Sequence, residues 1–460
     1  MRTGLEGVAA KARSDTKLVF TSLAHHITKE LIWESLKQMS LDTAPGVDGV
    51  DVRTAIETFD EWVEEMITSI HRKSYKAPPV RRVWIPKPGK AEQRPIGVPN
   101  VADRALQRSV MTVLNAIYEV DFLNCSFGGR PGRGQHNALT TMDEIIGRME
   151  VNFVLEADLK NFFGSLDHGW LLRFVEHRVG DPRILSLIGK WLKAGVMEDR
   201  AYEESVVGTP QGGSISVLLS NLYLHYVLDL WFEKAIKPRL EGECYLIRYI
   251  DDFIVCFERK SDAKRFVDVL GKRLAKFALT LEPNKTRLIE FGRFAERNAK
   301  ARGEKPETLY FLGFTHYCTT SRKGRFMVGR KTEKSRLRRS MNHLKDRIRE
   351  AMHWKVRVQI DRINRTLRGH YNYYGMGGNY QSLAKMYNLA VLYLKKMLCR
   401  RNNKGYVTWE LFNKIMEKHP IARPHIKIPY GISLAWEIFC IALHKSEKTA
   451  FRWRQTSCVF

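Results

Sequence analysis

The stretch of this 460-residue chain richest in potential chemistry is Tyr249-Ile250-Asp251-Asp252, two adjacent carboxylates inside the run Cys244 to Phe257. Neighbouring aspartates at a tight turn repel each other, and a divalent cation is the usual means of keeping both ionised; an acidic, solvated turn is the alternative. A third carboxylate, Asp158, lies in Val154-Leu155-Glu156-Ala157-Asp158-Leu159-Lys160-Asn161-Phe162-Phe163. Between the two acidic motifs runs Thr209-Pro210-Gln211-Gly212-Gly213-Ser214, whose glycines let backbone approach another chain closely.

These residues need elements to hold them. Apolar and β-prone residues flank the acidic pair, the pattern of a hairpin packed on a sheet with its turn exposed. Strand, helix, loop, helix, hairpin and strand are expected in that order over residues 152 to 316. Upstream, the pattern changes from Val80, and the runs Arg81 to Lys90 and Gln93 to Pro99 read as two β segments joined by a cationic, Pro- and Gly-rich loop, a hairpin able to fold over a triphosphate. Residues 1 to 18 are polar and basic and are expected to be mobile; a helical pattern begins near Ile27. Ile56, Phe59, Val63, Met66, Ile67 and Ile70 recur at helical spacing as a core stripe, and residues 138 to 150 read as a short helix. From Lys331 to Glu350, eight of twenty residues are Lys or Arg, with Leu337, Met341, Leu344 and Ile348 as an apolar seam. That is a helix with a basic outer face.

A formal charge of +26 favours a polyanionic partner, and no run approaches the roughly 18 apolar residues of a membrane span. Nucleic acid is preferred over a membrane. The seven cysteines are scattered without a Cys-x-x-Cys pair and no signal peptide is evident, which implies reduced thiols in a cytoplasm and neither disulfides nor zinc. The Gly- and Arg-rich Ser126 to Gly134 lacks the lysine and hydroxyl of a P-loop, so nucleotide hydrolysis is not supported.

Taken together, the ordered motifs from Ala44-Pro45-Gly46-Val47-Asp48-Gly49 through Phe311-Leu312-Gly313-Phe314 to Leu367-Arg368-Gly369-His370-Tyr371-Asn372-Tyr373-Tyr374 resemble reverse transcriptases. The closest likeness is to the enzymes of bacterial group II introns and their free-standing relatives. The resemblance implies an α+β right-hand polymerase: an N-terminal extension (1–78), fingers and palm (79–320), a helical, maturase-like thumb (321–400) and a basic C-terminal nucleic-acid-binding region (401–460). It implies Asp158, Asp251 and Asp252 as catalytic ligands of two Mg²⁺ ions, with Mn²⁺ able to substitute. Lys87, Arg94, Phe163, Gln211 and Lys285 correspond to nucleotide-binding residues. Phe163 corresponds to the aromatic that collides with a 2′-hydroxyl, and Lys285 to a lysine placed to protonate pyrophosphate. Tyr249 and Ile250 would lie under the primer terminus, and Gly128, Arg130, Gly132 and Arg133 against the template.

The implied partners are an RNA or DNA template with its primer and deoxynucleotides, in a bacterial, nucleoid-associated setting. The family often carries an endonuclease domain with paired cysteines, and without such a pair no DNA cleavage is expected. Intron enzymes usually have Ala at the position of Ile250; Ile marks a free-standing branch that includes enzymes associated with double-strand-break repair. The expected function is therefore RNA-directed DNA polymerisation with a host repair role. Intron splicing and mobility is the alternative, and a non-catalytic RNA-binding splicing factor a third, disfavoured by the intact carboxylates. In a packed site, Ile250→Ala is expected to cost on the order of 2 to 5 kcal/mol.

Overall fold

The computed structural model describes residues 2–86, 92–198, 201–203, 208, 213–401 and 406–432. The N-terminal segment expected to be mobile is instead a packed helix, α1 (Arg2–Ser14). Val8 and Ala12, one turn apart, are buried, and Arg178 donates to the carbonyls of Ala12 and Asp15 near its end. A few small apolar residues at helical spacing among many charges were enough, which composition alone conceals. Next come α2 (Lys29–Lys37), capped by the Thr28 hydroxyl, and α3 (Val52–Glu57), capped by Asp51. The stripe from Ile56 to Ile70 belongs mostly to α4 (Phe59–His71), where Phe59, Val63 and Ile70 are buried.

Strands β1 (Val80–Pro86) and β2 (Gln93–Val98) pair antiparallel as expected, with Arg94 opposite Ile85. The 21-residue α5 (Val101–Asp121) follows, its apolar face fully covered. Then come α6 (Gln135–Arg148), β3 (Phe153–Ala157), the one-turn α7 (Phe162–Ser165), α8 (His168–Glu176) and α9 (Pro182–Leu192). Two short strands absent from the sequence reading, β4 (Val196–Glu198) and β5 (Ala201–Glu203), extend the first hairpin into a four-stranded sheet of order β2-β1-β4-β5. At three residues each they carry too little pattern to be seen in advance.

Helix α10 (Ser216–Leu224) continues through two π turns, His225–Asp229 and Phe232–Ile236. The hairpin β6 (Cys244–Tyr249) and β7 (Asp252–Phe257) leads to α11 (Lys260–Ala275) and β8 (Arg287–Glu290). The central sheet runs β6-β7-β3-β8, antiparallel throughout. Both of its faces are buried. Leu155, Leu246, Phe253, Val255 and Phe257 point into one core with the N-terminal helices, α5 and α8 to α11; Val154, Ile247, Ile254, Cys256 and Ile289 point into the other. Strands covered on two faces are apolar almost without alternation, which is how the run around the acidic pair reads.

The second core is completed by α12 (Ala295–Ala301), a small sheet of β9 (Leu309–Phe311), β10 (Phe314–Thr320) and β11 (Phe326–Thr332), and the helices α13 (Lys334–Glu350), α14 (Val356–Tyr374), α15 (Tyr380–Arg400) and α16 (Trp409–Lys418). In α13, Leu344 and Ile348 are buried while Lys334, Arg336, Arg338 and Arg349 face outward, as the seam and basic face required. Of the tyrosines in the Leu367 to Tyr374 motif, Tyr371 and Tyr374 are core residues and Tyr373 is partly exposed. The chain is thus of mixed α+β class, and no helix among the described residues is long and apolar enough to cross a membrane.

Candidate active site

Asp251 sits with Ile250 on a two-residue turn closed by the Tyr249 and Asp252 pair, and Ile250 has φ +60°. A β-branched residue in the left-handed region is strained, because its side chain crowds the backbone there. Ile250 is half-buried, so the cost expected for shortening it is corrected: Ala sits in this conformation more easily than Ile, and relief of strain offsets lost packing. Asp158 follows the last residue of β3, Ala157, which pairs with Phe253; continuing that register by one step puts Asp158 opposite Asp252. The three carboxylates therefore come from adjacent strands of one sheet.

Lys285 joins them from the far side. The Glu282 amide donates to the Asp158 carbonyl (2.8 Å) and the Lys160 amide to the Thr280 carbonyl (2.8 Å), strapping the loop before β8 along the chain after β3. Lys285, on a 3₁₀ turn of that loop, ion-pairs with Asp158. Burial raises the Asp251 carboxyl above its ordinary range, and the Asp158 charge adds to the rise; a backbone hydrogen bond, Arg94 and Lys285 oppose it. Asp252 is pushed up to about 7 by loss of hydration and by the charges of Asp251 and Asp158, against Lys285 and Arg336. Its outer surface is exposed, so water and small ions reach it while the protein behind it weakens its solvation.

Among the described residues, no three His, Cys, Asp or Glu side chains close into a ready coordination shell. The fit to a hard divalent cation rests on the donor set: like-charged carboxylate oxygens crowded at one sheet end gain most from a shared positive charge. Asp158, Asp251 and Asp252 would hold it.

Phe163 lies on α7, partly exposed, whereas its neighbour Phe162 is buried in the core. The chain entering the Thr209 to Ser214 loop is tied to this turn: the Gly208 amide donates to the Leu166 carbonyl (2.9 Å), and a Cβ on Gly208 would collide with the Phe163 carbonyl at 2.9 Å. Gln211 itself, and Lys87, lie outside the described residues. Arg94 is exposed on β2, and its charge reaches Asp251. Tyr249 is half-buried beside the acidic pair.

The template assignment of the Gly- and Arg-rich segment needs correction. Arg130 is buried, with its guanidinium spent on Glu119 and on the carbonyls of Leu123 and Ser126, so its side chain is not free to meet a phosphate. Gly128 is buried too: a Cβ there would stand 2.7 Å from both the Ile250 amide nitrogen and its Cγ1. This glycine lets the segment press on the acidic turn, and its role is support. Gly132 is exposed; Arg133 is partly buried and donates to the Asn124 side chain (2.7 Å).

Sequence reasoning missed Arg248 and Asn221, while Asp229, read from sequence as an acid serving solubility and ion pairing, does the second: it forms a fully buried ion pair with Arg248 directly behind the turn. The signal was present as an arginine inside an otherwise apolar, doubly covered strand, a charge that must have a partner.

A family model for reverse transcriptase (RNA-dependent DNA polymerase) matches residues 85–316. The group II intron-encoded protein LtrA of Lactococcus lactis subsp. cremoris is 28% identical over 303 residues, covering 64% of this chain and 50% of that protein. Protein YkfC of Escherichia coli strain K12 is 33% identical over 230 residues, 47% of this chain and 59% of the relative. Nuclear intron maturase 3, mitochondrial, of Arabidopsis thaliana is 25% identical over 206 residues, 38% and 28% of the two chains. The chain spans about half the length of the first of these curated relatives.

Proposed function

Because the chain belongs to the reverse transcriptase (RNA-dependent DNA polymerase) family, we propose that Asp158, Asp251 and Asp252 are its catalytic carboxylates and that it extends a primer with deoxynucleotides on RNA and DNA templates. The observation that carries this reading is the convergence of three carboxylates with Lys285, Arg94 and Arg336 at one sheet end. In this arrangement β1 and β2 are fingers, the central sheet is the palm, α13 to α15 form the thumb and residues 401–460 bind nucleic acid, with residues 1–78 as an extension. Two Mg²⁺ ions, or Mn²⁺, when bound would activate the primer hydroxyl and stabilise the leaving pyrophosphate. Arg94 and Lys87 neutralise the triphosphate, Phe163 excludes a 2′-hydroxyl, and Gln211 closes on the new base pair. Lys285 stands beside Asp158 to deliver a proton to pyrophosphate. Gly132 and Arg133 remain as the template contacts of their segment.

Extension of a DNA primer on an RNA template should require Mg²⁺ and stop on chelation; extension that persists in chelator would sink the reading. The electrostatics add a pH test. Between its ordinary 3.8 and about 7, Asp252 keeps a proton in the folded chain that the unfolded chain releases, so without a cation its contribution to stability declines as pH rises through that window. A cation competes with that proton. Mg²⁺ should therefore raise the unfolding temperature more at pH 8 than at pH 6, and equal shifts would contradict the assignment.

Ile250 supports a host role in joining broken ends. A bulky side chain held by its strained backbone under the primer end would clamp a terminus paired by few bases, at some expense of sliding a long duplex. Ile250→Ala should extend long, stable primers at least as well as the parent and lose yield on primers held by a few pairs. Parallel curves of yield against overlap would remove this support. Association with an intron is the second reading, favoured by the relatives that bear intron names.

A further inference from the structure

We propose that Arg248, Asp229 and Asn221 form a buried clamp that holds the acidic turn in its strained, active shape, making Arg248 a positioning residue for the reaction. The proposal rests on the polymerase reading of the turn and adds to it how the turn is kept in place.

The geometry is specific to arginine. Nε and Nη2 of Arg248 donate to the two oxygens of Asp229 at 2.7 and 2.6 Å, while Nη1 donates to the Asn221 Oδ1 and to the carbonyl of Ile250, both at 2.9 Å. One planar fork thus ties a fixed carboxylate to the backbone of the first turn residue. Asn221 uses its other end on the opposite side, donating from Nδ2 to the Gly128 carbonyl at 2.7 Å. Gly128 in turn lies against Ile250 with no room for a side chain. The turn is held from behind by Arg248 and from the flank by Gly128, and Asn221 joins the two holds.

The helix is shaped for this task. On a regular α-helix, residues eight apart point about 80° away from each other. Asn221 and Asp229 are eight apart and both reach one guanidinium, because the π turn at His225–Asp229 takes an additional residue and rotates Asp229 back. The strand is shaped as well. The Arg248 amide donates to the Cys125 carbonyl (2.8 Å) and the Phe127 amide to the Arg248 carbonyl (2.9 Å), so the residues before Gly128 run along the open edge of β6 and bring Gly128 to the turn.

A structural ion pair needs none of this contact with Ile250. What the clamp supplies is a hold on a backbone conformation that Ile250 disfavours, and the direction of Asp251 depends on that conformation. Lysine at 248 keeps the charge, but one ammonium does not span Asp229, Asn221 and the Ile250 carbonyl together. Glycine at 250 adopts a positive φ without strain and lowers the need for a clamp.

The test uses the full chain with Arg248→Lys and, as a milder variant that spares the ion pair, Asn221→Ser. Arg248→Lys should lower kcat for primer extension by on the order of 30-fold and Asn221→Ser by about 5-fold, with nucleotide KM and primer-template Kd within about 3-fold of the parent. Adding Ile250→Gly to Arg248→Lys should recover about 10-fold of the lost kcat, since it restores the population of the active turn. A kcat within about 3-fold of the parent for a folded Arg248→Lys overturns the clamp, as does a loss that glycine at 250 leaves untouched, the mark of a residue that only stabilises the core. If Arg248→Lys does not fold, Asn221→Ser with and without Ile250→Gly decides by the same criteria. If the parent extends no primer, the polymerase reading falls, and a crystal structure of Asn221→Ser judges the clamp alone: a relaxed, negative φ at Ile250 supports it and an unchanged turn overturns it.

Discussion

Asp251→Asn is expected to lower kcat for primer extension by about 10³-fold or more while leaving primer-template affinity within a few-fold. The side chain keeps its shape and loses the charge that would hold the ions, and charge stabilisation of that kind is worth several kcal/mol in the transition state, with each 1.36 kcal/mol a factor of ten. The stability of the same variant should move the other way. Burial and the Asp158 charge raise the Asp251 carboxyl, so its ionised form is disfavoured in the folded chain wherever pH exceeds the ordinary carboxylate value. Asn removes that repulsion. The variant should unfold at a temperature no lower than the parent's near neutral pH in chelator, and the difference should vanish at pH 3 to 4, where both side chains are neutral. Undiminished extension would remove the active-site assignment, and a large loss of stability would show that Asp251 serves the fold.

Phe163→Val should raise ribonucleotide incorporation relative to deoxynucleotide by on the order of 10²-fold, because a steric barrier is specificity by exclusion and disappears with the ring. The structure separates this residue from Phe162. The two rings meet edge to face at 5.4 Å, but only Phe162 belongs to the buried core, so Phe163→Val should fold and Phe162→Val should be the destabilised variant. Competition between matched ribo- and deoxynucleotides on one primer-template measures the ratio directly. An unchanged ratio with intact extension would return Phe163 to an ordinary packing role.

Local pattern carried the parts of this protein that are local in physics. The hairpin of β1 and β2, the acidic hairpin and the seam of α13 follow from alternation, turn residues and helical spacing over a few residues. What escaped reading depends on partners far away along the chain. Arg130 looked like a cation waiting for a phosphate until its burial against Glu119 was visible, and Gly128 looked like a nucleic-acid contact until Ile250 was found above it. Lys285 and Asp158 are joined only because the loop before β8 folds back along β3. The meeting of Asp229 and Asn221 at Arg248 needed the π turn at His225–Asp229, which leaves no periodic trace. The carboxylates were legible as residue types, and the structure adds what raises the proton affinity of Asp251 and Asp252.

The central position of β3 has a consequence for how the chain is made. Its two neighbours, β7 and β8, lie about 100 and 130 residues further along, so both edges of β3 stay unpaired while that length is synthesised, roughly 5 to 25 s at translation rates of 5 to 20 residues per second. An apolar strand with two open edges is a template for pairing with other chains. The sheet is also of high contact order, which makes it slow to assemble once all of its strands exist. The strand that precedes Asp158 is therefore among the places most in need of a chaperone during biosynthesis, and recovery of soluble protein should respond to slower expression more than to changes in the outer helices.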